Sequence, residues 1–142
     1  MIAYNDQDLL QILKDFGVKY TEHRLELLRY MSKSKLPIPA SRIIDIMKKK
    51  HDMNQATVYR GLAILSKAQV LNTIEINRES YYEMNFGDSS IVIACSMCGT
   101  LDKIEKINLD DILKKAGRQS KKFSSLSQLH MRVYGLCKNC LK

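Results

Sequence analysis

Apolar residues in the first part of the chain recur at the spacing of amphipathic helices. The segment 6–16 carries an i, i+3, i+4, i+7 stripe, and Gly17 ends the helix that it predicts. Thr21 is a suitable N-cap for a second helix, and a third helix is predicted from Ala40 to Lys50. The pattern therefore predicts three short helices before residue 51.

A fourth helix is predicted over Gln55–Ala68, with Asn54 as its N-cap. Val58, Leu62 and Leu65 recur at spacings of four and three and form its buried face. The opposite side and its flank carry small residues, two cations, a glutamine and a tyrosine: Ala56, Arg60, Ala63, Lys67, Gln55 and Tyr59. This helix is predicted to dock on the core through one face and to expose a basic, polar face.

Two segments rich in β-branched residues and tyrosine follow the fourth helix. Val70–Ile76 and Ser80–Met84 have the composition of strands, and residues 77–79 between them predict the turn of a hairpin. Short helices followed by a two-stranded wing are the order of a winged helix-turn-helix. In helix-turn-helix proteins the recognition helix enters the major groove of DNA.

Residues 85–90 have the composition of a linker, and the pattern changes to strands after them. The last part predicts a mixed set of short elements: strands at Ile91–Cys95 and Leu101–Lys106, a helix at Leu109–Ala116, a loop at Gly117–Ser127 and a strand at Gln128–Leu136. We therefore predict an α+β protein in two domains. Residues 1–84 form a winged helix-turn-helix, and residues 91–142 form a small α/β domain.

The charge of the chain favours a polyanionic partner. Its 23 Lys and Arg residues outnumber 15 Asp and Glu residues, which gives a formal charge of +8. Such an excess is typical of proteins that bind nucleic acid, although it also serves solubility alone. We see no secretory signal and no apolar stretch of the roughly 20 residues that cross a bilayer, so we expect a cytoplasmic protein.

The four cysteines of the chain form two C-x₂-C pairs, Cys95 with Cys98 and Cys137 with Cys140. Each pair follows an apolar strand, and two such pairs are able to close a tetrahedral site around one Zn²⁺ ion. Four thiolates leave no open coordination position, so the site is predicted to be structural. A thiol–disulfide pair is the alternative. With no phosphate-binding glycine loop or Ser-His-Asp order either, we expect no enzymatic activity.

These motifs resemble those of the ferric-uptake-regulator (Fur) family of repressors. Residues 16–25 are similar to the family's G-(V/L)-(K/R)-x-T-x-x-R-L opening, and residues 56–62 to its recognition-helix motif A-T-V-Y-R-x-L. The cysteine pairs, one followed by Gly99 and one preceded by Tyr134-Gly135-Leu136, resemble its zinc-binding pairs. The resemblance covers residues 8–141 in the right order.

The resemblance implies a homodimeric repressor of double-stranded DNA at A/T-rich inverted repeats, with dimerisation through the second domain. Tyr59 and Arg60 would contact DNA from the recognition helix, Lys19 would reach the minor groove, and Arg24 and Thr57 would contact the backbone. Gln55, on the flank of the same helix, is a further candidate. Packing under the wing is the alternative for Tyr59, and a solvated helix face is the alternative for Arg60.

The family's usual regulatory metal site is not matched by this sequence. Family members bind iron, manganese or zinc with a H-H-x-H run before the first zinc cysteine, where this chain reads Asp88-Ser89-Ser90-Ile91-Val92. Imidazoles are absent from that run, so we expect the usual Fe²⁺ or Mn²⁺ sensing to be lost. A weak second site remains conceivable from Glu83, Asp88, Asp110 and His130, although His130 lies one residue from the expected position.

Two other functions stay open from the residues alone. The chain could be a protein-interaction module that keeps the fold but not DNA binding, or a redox sensor that releases zinc when its thiols are oxidised. The target genes, the operator and the signal are not encoded in any recognisable motif.

Overall fold

The computed structural model describes residues 3–105 and 108–142 and divides into two compact units, Met1–Phe86 and Gly87–Lys142. The first unit runs α1 (Asp6–Asp15), α2 (Glu22–Met31), β1 (Ile38–Pro39), α3 (Ala40–His51), α4 (Gln55–Lys67), β2 (Leu71–Ile76) and β3 (Glu79–Met84). The second runs β4 (Ser90–Cys95), β5 (Leu101–Ile104), α5 (Asp110–Gln119) and β6 (His130–Gly135). Among the described residues, no helix combines the length and apolar character that a bilayer crossing requires.

Side chains that precede the helices satisfy their free backbone N–H groups. Asn5 and Asp8 form a reciprocal capping box at α1, in which each side chain accepts a hydrogen bond of 2.9 Å from the other's backbone N–H. The Thr21 hydroxyl accepts from the backbone of Arg24, and the Asn54 side chain accepts from the backbone of Thr57. The predicted helix starts at Thr21 and Asn54 are thus confirmed.

The four helices of the first unit share one apolar core. The predicted buried face of α4, Val58, Leu62 and Leu65, has no exposed surface. Leu27 and Leu28 of α2 are equally buried and belong to the same core cluster. Because α4 packs on the core through one side, its opposite side faces outward.

The wing is an antiparallel hairpin of β2 and β3, as the sequence predicts. Ile76 pairs with Glu79, so the connecting turn is only Asn77 and Arg78, one residue shorter than predicted. Pro39 and Ile38 form β1, which pairs with β3 and makes the sheet three-stranded, in the order β1-β3-β2. The sequence pattern predicted no strand before α3, because a two-residue strand has no period of its own.

The second unit is built on a sheet in the order β5-β4-β6. β4 is antiparallel to β5 and parallel to β6, and Cys95 at the end of β4 pairs with Gly135 at the end of β6. β6 is an edge strand in the described part of the chain, and its residues are mostly exposed. The parallel pairing brings together two segments that lie far apart in the sequence.

Several predicted boundaries in the second unit differ from the structure. The predicted loop at Gly117–Ser127 is wrong over its first three residues, because α5 continues to Gln119. The predicted strand Gln128–Leu136 is shorter, and β6 covers only His130–Gly135. The predicted strand Leu101–Lys106 is observed to Ile104, and Lys106 lies outside the described residues. A single glycine in a helix costs only about 1 kcal/mol, which explains why Gly117 does not end α5.

Candidate metal centre and nucleic-acid interface

The four cysteines converge on one point of the second unit. One sulphur from each of Cys95, Cys98, Cys137 and Cys140 lies within 4.8 Å of all the others, and the sulphurs of Cys98 and Cys137 are 3.7 Å apart. A tetrahedral ion with Zn–S bonds of about 2.3 Å holds its sulphur ligands about 3.8 Å apart. The four cysteines are therefore positioned to bind one metal ion.

The parallel pairing of β4 and β6 creates this cluster. Each cysteine pair follows the end of one strand, and a tight turn folds the second cysteine back toward the first. Gly99 adopts a φ of 74° and donates its N–H to the carbonyl of Cys95 at 2.9 Å. The backbone of Cys140 donates to the carbonyl of Cys137 at 3.0 Å. Short-range turns thus place two sulphurs per pair, and the sheet joins the pairs.

The thiols of the cluster differ strongly in acidity. The backbone N–H groups of Cys98 and Cys137 lower the pKa of Cys95 to about 6, and the Thr100 hydroxyl lowers the pKa of Cys98. Hydrogen bonding to Cys137, with lesser contributions from the other cysteines, raises the pKa of Cys140 to about 12. Four adjacent thiolates repel one another, so a cation is needed for all of them to ionise together.

The cysteine cluster is the one group of three or more His, Cys, Asp or Glu side chains able to hold a metal within residues 3–105 and 108–142. Of the residues considered for a second site, Glu83 is buried in β3, Asp88 is exposed and Asp110 is in the first turn of α5. His130 is exposed and its Nδ1 lies 3.3 Å from the Ser90 hydroxyl. The second site stays a prediction.

The recognition helix presents most of the predicted DNA-contacting residues to the outside. Gln55, Tyr59 and Arg60 are exposed, and Tyr59 shows 44% of its surface. Thr57 is partly buried, and its hydroxyl accepts a hydrogen bond of 3.4 Å from the Arg60 guanidinium. The exposed part of α4 therefore offers an amide, a phenol and a guanidinium.

The other two predicted contacts lie in the loop before α2 and in the first turn of α2. Lys19 is exposed, and the Arg24 guanidinium donates to the Lys19 carbonyl at 2.5 Å. Arg24 is partly buried, so one of its donors fixes the backbone that carries Lys19. This local role of Arg24 was not apparent from the sequence.

A groove beside α4 contains residues that the sequence did not single out. Gln55 and Tyr59 line it together with Lys48 of α3 and Arg78 of the wing. The sequence marked Arg78 only as a turn residue. A signal was available, since a cation at the tip of a hairpin beside a recognition helix is well placed for a polyanion.

The sequence and the fold are similar to those of known ferric uptake regulators. The profile of the ferric uptake regulator family matches residues 15–134. A ferric uptake regulation protein of Bordetella parapertussis is 29% identical over 134 residues, which cover 92% of this chain and 94% of that protein.

Solved structures give the same result at the level of fold. The ferric uptake regulator of Helicobacter pylori superposes with a TM-score of 0.77 at 19% identity, covering 100% of this chain and 97% of that one. A zinc uptake regulator complexed with zinc and DNA superposes with a TM-score of 0.60 at 25% identity, covering 97% and 96%. The matches span both units of this chain.

Proposed function

This chain belongs to the ferric uptake regulator family, and on that premise we propose that it is a transcriptional repressor that binds specific DNA sites in the cytoplasm as a homodimer. The observation that carries this proposal is α4, which buries Val58, Leu62 and Leu65 and exposes Gln55, Tyr59 and Arg60. A zinc uptake regulator of similar fold has been solved with zinc and DNA. A regulator of this kind acts by occupying DNA and needs no catalytic site.

The exposed face of α4 has the chemistry for reading A/T-rich DNA. Tyr59 provides an apolar ring for thymine methyl groups, while Arg60 provides donors for phosphates or base edges. Lys19, on the loop that Arg24 fixes, supplies a long cation for the minor groove. Two copies of such a unit on a two-fold axis would require an inverted repeat.

Replacing Arg60 tests the DNA-binding function. We expect Arg60→Ala to weaken binding to a duplex selected by the wild type by roughly tenfold or more, because a charged hydrogen bond contributes about 1.5–3 kcal/mol. Fluorescence anisotropy across a salt series measures both affinity and salt slope. Arg118→Ala, which removes an exposed arginine from α5, is the matched control. Wild-type affinity in Arg60→Ala would show that α4 is not the recognition helix.

We propose that the ion held by the four cysteines is structural Zn²⁺, one per protomer. Thiolates at tetrahedral spacing favour zinc, and the site leaves no position open for a substrate or a fifth ligand. Native mass spectrometry of the purified protein is expected to show one zinc per chain. A metal-free protein with a reactive thiol pair would instead support the alternative of a thiol–disulfide pair.

We further propose that the usual iron or manganese response has been lost. Among the described residues, the cysteine cluster is the one group with three or more metal-binding side chains. Anaerobic addition of Fe²⁺ or Mn²⁺ is expected to leave the metal content and the DNA affinity unchanged. A second ion bound tightly would contradict this proposal and would point to Glu83, Asp88, Asp110 or His130.

The second unit is proposed to form the dimer interface. Ile112 of α5 is 43% exposed and Val133 of β6 is 41% exposed, and β6 is an edge strand in the described part of the sheet. Large apolar groups on an open sheet edge favour burial against a second copy. Ile112→Glu is expected to shift sedimentation equilibrium toward monomer, whereas Leu10→Glu, at a similarly exposed position of α1, is not.

A further inference from the structure

The tip of the wing places an arginine in a backbone conformation that favours glycine. Asn77 and Arg78 form the two-residue turn, with φ of 50° and 67°. Turns with two positive φ values prefer asparagine first and glycine second. Asn77 follows this preference and Arg78 does not, because its Cβ crowds the backbone in the left-handed region. Backbone strain of this kind persists where the surrounding structure holds the backbone in place, and it is concentrated at functional sites.

Glu79, the next residue, anchors the wing turn to α3. One carboxylate oxygen of Glu79 accepts hydrogen bonds from the Ser41 backbone N–H at 3.2 Å and from the Ser41 hydroxyl at 2.5 Å. α3 has no side-chain cap from Pro39, the residue before it. Glu79 therefore caps α3 from the wing and places its negative charge at the positive end of the helix.

The anchored turn brings Arg78 to the groove that α4 borders. Gln55 and Tyr59 of α4 lie on this groove with Arg78 and Lys48. Its two acidic residues are both engaged, since Glu79 accepts from Ser41 and Asp45 lies 3.1 Å from Lys49. The side of α4 next to the wing therefore has two cations, Arg78 and Lys48, on the same groove as Gln55 and Tyr59.

We propose that Arg78 contacts a phosphate of the DNA strand beside the site that α4 reads, and that Glu79 is the residue that positions it. This inference rests on the proposed DNA-binding function. The two-residue turn and the Glu79 anchor hold the backbone of Arg78 beside the groove before DNA arrives. Less backbone freedom is then lost on binding than with a mobile wing.

Substitutions of Arg78 separate the effect of its charge on DNA binding from the effect of its strained backbone on stability. The probe is a labelled duplex that the wild-type protein selects from a random library, titrated by anisotropy at several salt concentrations. Arg78→Ala and Arg78→Gly are expected to weaken binding by roughly tenfold, and the salt slope should fall by about 1 for each bound protomer. Arg78→Lys should keep the wild-type slope, because a lysine also neutralises a phosphate. Arg118→Ala again serves as the control.

Arg78→Gly carries an internal check on folding. Glycine adopts the required φ without strain, so this variant should melt at a higher temperature than the wild type while it binds DNA less tightly. Unfolding cannot account for weaker DNA binding by a variant that is more stable than the wild type. Differential scanning calorimetry of the same samples provides the melting temperatures.

Substitutions of Glu79 provide a test in which simple electrostatics and loss of the hydrogen bonds to Ser41 predict opposite changes in DNA affinity. Removing a negative charge from a DNA-binding surface should strengthen binding, whereas losing the anchor should weaken it. We expect Glu79→Ala to bind several-fold more weakly and Glu79→Gln, which keeps an acceptor oxygen for Ser41, to bind at least as tightly as the wild type. In an Arg78→Gly background, Glu79→Ala should have no further effect on the salt slope.

The outcomes distinguish a failure of the Arg78 contact from a failure of the proposed DNA-binding function. If the wild type selects no duplex, the proposed DNA-binding function fails. If the wild type binds and Arg60→Ala is weakened, but Arg78→Ala keeps wild-type affinity and salt slope, then only the wing contact is wrong. Tighter binding by Glu79→Ala would overturn the positioning role.

Discussion

Gly61 lies where α4 packs against α2, and its missing side chain leaves room for a neighbouring leucine. A Cβ built at Gly61 would stand 2.5 Å from Cδ1 of Leu27, which is fully buried. Heavy atoms do not approach that closely, so Leu27 or the helix would have to move. The sequence motif A-T-V-Y-R-x-L leaves this position unspecified. In this chain, glycine is the residue that leaves room for Leu27.

Gly61→Ala is expected to destabilise the first unit. The cost of overpacking, about 1–3 kcal/mol, exceeds the gain of about 1 kcal/mol in helix propensity. Urea denaturation measures the change in the free energy of unfolding. Gly117→Ala in α5 is the matched control, because the atoms nearest to a Cβ built there stand 4.0 Å away, and it should stabilise α5 instead. A Gly61→Ala protein as stable as the wild type would show that Leu27 moves freely.

At the scale of elements, one arginine ties α1 to α2. Arg29 of α2 forms ion pairs with Asp6 of α1 and with Glu22 and Glu26 of its own helix, and the Asp6 contact is 2.6 Å long. These groups are partly exposed, so the energy of each pair is small. Their geometry still fixes which face of α1 meets α2.

This ion pair predicts a pH dependence with a defined sign. The hydrogen bond from Arg29 lowers the pKa of Asp6 below its ordinary value of 3.8. A carboxyl whose pKa is lowered by folding stabilises the native state above its unfolded pKa, and that contribution is lost as the pH falls through the folded pKa. NMR titration should show the Asp6 pKa returning toward 3.8 in Arg29→Met. Lys14→Met, on α1, should leave the pKa of Asp6 low.

On the scale of the whole molecule, the two units rest on different kinds of stabilisation. The first unit has a continuous apolar core of leucine, isoleucine and methionine contributed by all four helices. The second has far fewer buried apolar residues, and α5 has none. A unit of this size with a small core depends on cross-links, which the four cysteines would provide through the bound ion.

Metal removal is therefore expected to affect the units unequally. A strong chelator or Cys137→Ser should abolish hydrogen-exchange protection in β4 and β6, while amides of α2 and α4 remain protected. Hydrogen exchange with mass spectrometry resolves the two units by peptide. Met97→Ala, at an exposed position between the cysteines of the first pair, is the control that keeps all four thiols. An equal loss of hydrogen-exchange protection in both units would contradict the expectation that the bound ion stabilises mainly the second unit.

The local features of this protein were determined by the sequence itself. Helix starts at Thr21 and Asn54, the buried face of α4 and the hairpin of the wing depend on residues within a few positions of one another. Hydrophobic period and capping chemistry act over that range, so they can be recognised without a structure. The pairing of the two C-x₂-C motifs was also predicted, because metal chemistry demands four ligands.

Contacts between distant segments were decided only by the tertiary structure. The parallel register of β4 and β6, the β1 strand at Ile38–Pro39 and the bond between Glu79 and Ser41 join residues that no local pattern links. Such contacts form when the core packs, and their partners are chosen by geometry and the exclusion of water. The position of Arg78 beside α4 is of this kind, because a turn residue acquires its neighbours only after the helices and the wing have packed together.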